Sequence, residues 1–257
     1  MKLVLLTSLI LLLYIYEIIL PLRKRKLFEK MSLIHGLTNL GLIFFGSFFI
    51  RIVTLAITYY SIDVYSFKYS LMSILKLSGP SATVLSIIFF DFFIWLQHVA
   101  SHHIPILWRL HKVHHCDTFL DTSSGLRFHP IEIILSMFYK LLLIMLIGIS
   151  SSDFLMFEVI LTGFALFNHS NIKINNTIDT YLSYFIVTPN VHQVHHSNKV
   201  DETNSNFGFN IVIWDRVFGT YKEYKRVKEN LEIGLKGVSP EDANSLIFLL
   251  LWPLRRK

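Results

Sequence analysis

The sequence predicts an all-α integral membrane protein: transmembrane helices and a helical hairpin, with a cytosolic cap that carries boxes of histidine. Three observations predict it. Hydrophobic residues make up 53% of the 257 residues and charged residues 16%, against about 45–50% and about 25% in soluble domains. The apolar residues fall in long runs separated by polar or basic stretches. Of the 12 histidines, all but His35 lie between His98 and His196. The formal net charge of +6 suits either an anionic surface or nucleic acid. The Phe, Leu and Ile between the charges favour the bilayer and argue against nucleic acid. With Cys116 the single cysteine, the chain holds neither an internal disulfide framework nor a thiolate metal cluster.

Leu3 to Leu20 is apolar apart from Glu17 and a few hydroxyls. That is long enough to approach the ~30 Å hydrocarbon core. Lys2 precedes the run, no small-residue cleavage site follows it, and Arg23, Lys24, Arg25 and Lys26 come directly after. It therefore reads as a retained anchor whose C-terminal end faces the cytoplasm. A second run covers Gly36 to Tyr60, interrupted by Arg51, and a third runs from Pro80 into Trp95. A fourth, Ile131 to Ile149, ends at Ser150-Ser151-Ser152-Asp153, and a fifth, Phe154 to Phe167, is short for a full span. The last two read as a hairpin that returns to the side it left. Residues 1–79 form an N-terminal transmembrane region, 80–225 a catalytic domain, and 226–257 a tail. Within the tail, Ser245 to Leu254 is too short to span and is placed at the interface, with Arg255, Arg256 and Lys257 near headgroups.

Counting spans from the basic cluster at 23–26 puts Ser61 to Lys76 outside and the end of the third run, at His98, inside. Arg109, Lys112 and Arg127 follow on that side, in keeping with the positive-inside bias. The hairpin leaves and returns, so His169 and His192 are inside as well. No step of the count uses the histidines, yet every clustered one lands on the cytosolic face.

The first box is His98-Val-Ala-Ser-His102, followed by His103; the second is His111-Lys-Val-His114-His115; the third is His192-Gln-Val-His195-His196. On a helix, positions i+3 and i+4 lie beside i, so each box can present its imidazoles to one side. One pair spaced by four is commonly a surface feature. Two His-x-x-His-His boxes on the same side as a His-x-x-x-His are not. The eight box histidines and the isolated His169 give nine candidate ligands, more than one tetrahedral zinc takes. They suit two ions of higher coordination, and imidazole accepts Zn, Cu, Fe or Ni. A His-Glu-x-x-His protease motif is absent, and so is the Glu-x-x-His pattern of soluble di-iron bundles. His129, in Arg127-Phe128-His129-Pro130, is a tenth metal candidate, with orientation of a substrate or an Asp as its alternative. His35 reads as an interfacial histidine without a role. Asp91 lies seven residues before His98, two turns deeper on one face, and an intramembrane carboxylate is read as functional. It is expected to accept the outer N–H of a ligand imidazole, with Asp215, Asn171 and Glu132 as weaker candidates for the same task. Trp214 and Arg216 read as packing the cap over the site.

The boxes resemble those of the fatty acid hydroxylase/sterol desaturase superfamily, and the resemblance continues between them. Asp91 through Trp95 to His98 resembles the family's lead-in, and Trp108-Arg109-Leu110-His111-Lys112-Val113-His114-His115 its second box. Arg127 to Glu132, His169-Ser170-Asn171, Asn206-Phe207-Gly208 and Trp214 to Tyr221 are similar to its later elements. Val99 stands where members often have Arg. The resemblance covers Asp91 to Tyr221. It implies two iron ions, O2 as co-substrate, an external electron donor, and hydroxylation or desaturation of a membrane lipid. The chain has no Gly-x-Gly-x-x-Gly and no haem attachment motif, so an electron-transfer protein and a reductase are expected partners, docking on the basic cytosolic face. A reading from another class is a histidine-rich metal-binding or metal-transport protein, which requires ligands along the spans.

Overall fold

The structure, a computed structural model, describes residues 2–24, 30–59, 69–227 and 231–255. Arg25 and Lys26 of the basic cluster, residues 60–68, and Arg256 and Lys257 lie outside the described residues. The described chain is helical, and its β-pairing is limited to isolated bridges such as Ile186 with Ile211. Four helices are long and apolar enough to cross a membrane, by the spans Lys30–Phe48, Gly79–His103, Pro130–Ile147 and Ser151–His169; Leu6–Ile19 is a shorter apolar helix.

The helices are α1 (Lys2–Ile19), α2 (Lys30–Tyr59), the short α3 (Leu71–Ile74), α4 (Gly79–His103), α5 (Pro105–His115), α6 (Pro130–Ile147), α7 (Ser151–His169), α8 (Asn176–Leu182) and α9 (Pro189–His195). Their breaks follow the local chemistry. Pro105 opens α5 and ends α4 after His103, because proline supplies no N–H and disfavours a helical residue before it. That break turns the first box onto the second. The hairpin turns at Gly148, whose φ of 78° caps α6 in the left-handed region, and Ser150 caps α7 by accepting from the Asp153 amide. The fifth apolar run was too short for a span when counted in apolar residues alone; the cap and the polar first turn lengthen α7 to 19 residues.

Inside a bilayer the lipid tails are as apolar as these side chains, so close packing holds the helices. α4 packs on α6 and α7 through Phe90, Ile94, Ile144 and Phe157. α2 meets α6 at Gly46, where an added Cβ would come within 2.4 Å of Ile133. Beyond the long helices, the cap folds around α9 and the segment 197–221. The tail helix Leu246–Leu251 packs against α2 and α5 through Leu42, Val113 and Leu249.

Two polar residues depart from their sequence reading. Arg127 is buried and adds nothing to the surface charge: it donates to the carbonyls of Val113 and Ala243 and to Asn39. His35 is buried as well. Its Nε2 lies 2.9 Å from both Asp117 oxygens, and its Nδ1 lies 3.2 Å from Asp121. Burial alone raises an aspartate, yet His35 and Arg127 beside Asp117 hold its carboxyl well below the usual range. This network ties α2 to the segment that follows the second box.

Candidate metal centre

The nine histidines of the boxes and His169 come together as two buried groups. His98, His102, His111, His115 and His195 form one, and His114, His169, His192 and His196 the other; within each group the candidate ligand atoms lie within 4.8 Å of one another. No element holds a group alone. α4 and α5 enter from one side, α7 brings His169 from the hairpin, and α9 brings the third box. The second and third boxes each divide between the groups. His111 and His115, one helical turn apart, face one group while His114 faces the other.

The outer nitrogens are tied. His98 Nδ1 donates to the Phe207 carbonyl at 2.7 Å, His114 to Arg127 at 3.0 Å, His169 to Ala165 at 2.6 Å and His195 to Ser205 at 2.7 Å. His111 Nδ1 donates to Glu132 Oε1 at 2.6 Å, and His102 Nδ1 pairs with Asn204 Oδ1 at 3.2 Å. A proton on Nδ1 leaves Nε2 as a bare lone pair. These lone pairs face each other: His98 with His111 at 3.1 Å, His98 with His195 at 3.0 Å, and His114 with His169 at 3.0 Å. Lone pairs repel at that distance unless a cation stands between them. Burial, then the mutual repulsion of neighbouring imidazoles, pushes His114, His115, His192, His195 and His196 well below the usual histidine range. His102 and His115 also keep an unpartnered, buried Nε2. The donor set fits metal, and a group of five imidazoles exceeds the four ligands of a structural zinc site.

The structure does not bring His129 to either group. Its Nδ1 accepts from the Ile131 amide as the N-cap of α6, and its Nε2 lies 3.2 Å from the Leu250 carbonyl. Both nitrogens serve the chain fold, because Pro130 at the helix start leaves the next amide to be capped. His103 is exposed and bonds its own helix at Val99.

The expected carboxylate partners are also rearranged. Asp91 accepts from Asn210 at 2.6 Å and from the Trp214 indole at 2.7 Å; Asp215 accepts from Trp95, Thr220 and the amides of Phe207 and Gly208. Asn171 exchanges hydrogen bonds with the Arg23 backbone. None of the three touches an imidazole. They fasten the closing segment and the end of α1 to the bundle, and Asp215 acts on His98 only through Phe207, whose carbonyl accepts the His98 Nδ1 hydrogen bond. Glu132, ranked lower in the sequence, makes the direct contact. Asn204 had no sequence signal apart from its closeness to Asn206-Phe207-Gly208. The backbone carbonyls that orient four imidazoles had none.

A cavity of about 510 Å³ adjoins the five-histidine group. It lies between α4, α6 and α7, and its wall includes His98, His111, Glu132, Phe128, Met137 and Ile144. The wall is mostly apolar, as suits a chain entering from the bilayer.

Residues 83–220, more than half of the chain, match the fatty acid hydroxylase family. Among curated proteins, the chain is similar to ornithine lipid hydroxylase OlsE of Rhizobium tropici, 29% identical over 175 residues, which is 68% of this chain and 50% of that protein. It is 28% identical to alkylglycerol monooxygenase of Caenorhabditis elegans over 146 residues, covering 56% of this chain and 28% of the relative. The human alkylglycerol monooxygenase is 28% identical over 133 residues, covering 51% and 28%. The chain thus spans half or less of these relatives' lengths. No solved structure matches.

Proposed function

The chain belongs to the fatty acid hydroxylase family, and from that premise we propose that it is an O2-dependent hydroxylase or desaturase of a membrane lipid, with two iron ions held by the nine histidines. The observation that carries the reading is the pair of buried imidazole groups beside an apolar cavity. When bound, the iron supplies the coupling of O2 reduction to oxidation of an unactivated C–H bond. The protein's share is to orient and to exclude water. The Nδ1 contacts to carbonyl and carboxylate oxygens fix six of the nine rings in position, among them His111 through Glu132. Phe128, stacked on His114 at 4.4 Å between centroids, closes one side against solvent. The lipid similarity of the named relatives supports the substrate class. Electrons come from an external carrier and its reductase, and the site opens to the cytosolic side of a multi-pass protein.

Both imidazole groups sit at one end of the long helices. A path for metal transport has to cross the bilayer, so the arrangement favours the enzyme. The test has two readings. Protein purified anaerobically from iron-replete cells is expected to carry about two iron ions per chain by elemental analysis. Lipid mass spectrometry of cells with and without the gene is expected to show a gain of one oxygen or a loss of two hydrogens in a lipid class. Fewer than one transition metal per chain, where a control di-iron enzyme loads fully, would falsify the metal assignment.

A further inference from the structure

The cavity contains a feature that lipid oxidation does not require. Lys140 on α6 and Glu158 on α7 form an ion pair at 2.7 Å, and both side chains line the cavity. Lys140 is the eleventh residue of the 18-residue α6, and Glu158 the eighth of the 19-residue α7, so the pair sits near the middle of both spans. A charge at that depth is expensive and rarely kept without a function. Glu132, bonded to His111, precedes Lys140 by eight residues on the same helix, which sets the pair about 12 Å deeper than the histidines.

The pair is incompletely satisfied. An ammonium has three N–H donors and a carboxylate two oxygens, yet among the described residues each side chain has the other as its polar partner. They keep 18% and 22% of their surface accessible. Between them and the histidines, Gln97 lines the same wall, accepting from Ser136 at 3.3 Å.

We propose that Lys140 and Glu158 are a recognition site for a hydroxyl or amide carried within the chain of the lipid substrate. This rests on the reading of the cavity as the substrate site. The class follows from charge. The pair is neutral overall, so a phosphate or carboxylate would satisfy Lys140 and oppose Glu158, and an ammonium would do the reverse. A neutral group that both donates and accepts satisfies the two at once. With the lipid head at the interface beside the histidines, the recognised group lies well down the chain. A plain hydrocarbon at that position would leave both charges facing apolar matter.

The test uses the full-length protein, purified anaerobically, with 1-stearoylglycerol and the set of its positional hydroxy derivatives, each carrying one hydroxyl at a successive position of the acyl chain. Bound lipid is measured by competition, and oxidation is measured separately after O2 and reductant are added. Wild type is expected to retain one or two neighbouring isomers about 10-fold or more over the unhydroxylated lipid, the usual scale for a hydrogen bond to a charged group. In K140M/E158L, which removes both charges together, that preference is expected to vanish while metal content and binding of the plain lipid persist. K140E/E158K keeps the bridge between α6 and α7 but exchanges donor and acceptor, so the preferred isomer is expected to change. No preference in wild type, or the same preferred isomer in every variant that folds, overturns the recognition site and makes the pair a helix brace. Selective binding without oxidation of any isomer removes the hydroxylase reading and leaves recognition standing; oxidation without selectivity does the opposite.

Discussion

Glu132 and His129 lie three residues apart, and the structure gives them opposite importance. Glu132 accepts a hydrogen bond from His111 Nδ1 at 2.6 Å. Outer partners of this kind typically contribute about 10–100-fold in metal affinity or activity. Glu132→Ala is therefore expected to lower iron content or turnover by that range, with Glu132→Gln recovering part of it through a neutral hydrogen bond; iron analysis of both variants is the check. His129→Ala removes a helix cap and no ligand. It is expected to retain iron and lose about 0.5–2 kcal/mol of stability, and loss of iron with unchanged stability would return His129 to the metal. Removing a ligand itself, as in His114→Ala or His195→Ala, is expected to abolish turnover. His35 was the residue whose loss the sequence predicts to be harmless. Its burial between Asp117 and Asp121 reverses that: His35→Ala removes the group that bridges two buried carboxylates, leaving Asp117 to Ser124 and Arg127 and Asp121 to Ser123, and breaking a buried pair of this kind costs about 3–5 kcal/mol. Thermal unfolding in detergent should show a large drop, and an unchanged transition would show the network to be dispensable.

At the scale of the helices, the connections matter as much as the spans. The turn from Thr122 to Leu126 is capped reciprocally by Asp121 and Ser124, and it rests on α7 at Gly125. A Cβ on Gly125 would stand 2.6 Å from the Ala165 carbonyl oxygen and 2.9 Å from its carbon. These are backbone atoms, and they cannot rotate away. The same carbonyl orients His169, while Arg127, two residues beyond the glycine, orients His114. Gly125→Ala is thus expected to loosen the four-histidine group specifically, and iron content should fall further than helical circular dichroism. Much of this level was legible. The apolar runs located α2, α4 and α6, and the spacing of the boxes named eight of the nine grouped histidines, with His169 added as an isolated residue, because helix periodicity and ligand type are written in side chains. The outer contacts were harder to read. Most of them are backbone carbonyls from distant segments, and a carbonyl carries no sequence signature. Asp91 and Asp215 were misplaced for a related reason: their depth and spacing were right, but spacing along α4 does not show that Asn210 and Trp214 fold back to claim the carboxylate.

For the molecule as a whole, the orientation in the membrane decides which electron donors can reach the centre. The span count puts it in the cytoplasm, and it depends partly on positive charge near the helix ends. The burial of Arg127 removes one of those charges, while Arg109, Lys173 and Lys222 remain on the cap side. α6 and α7 are both long enough to cross, as the count requires of the hairpin. Single cysteines test it, against a low background because the native Cys116 is buried. Positions in the turn that follows the second box are unsuited, since Ser123 there is buried and bonded to Asp121 and Asn39. Ser81, near the start of α4, and Thr177, in α8 of the cap, are both exposed. Cysteine at Ser81 is expected to react with an impermeant maleimide in intact cells. Cysteine at Thr177 should react only after the membrane is opened. The reverse pattern would move the histidines to the opposite face, away from cytosolic reductases, and require a different source of electrons.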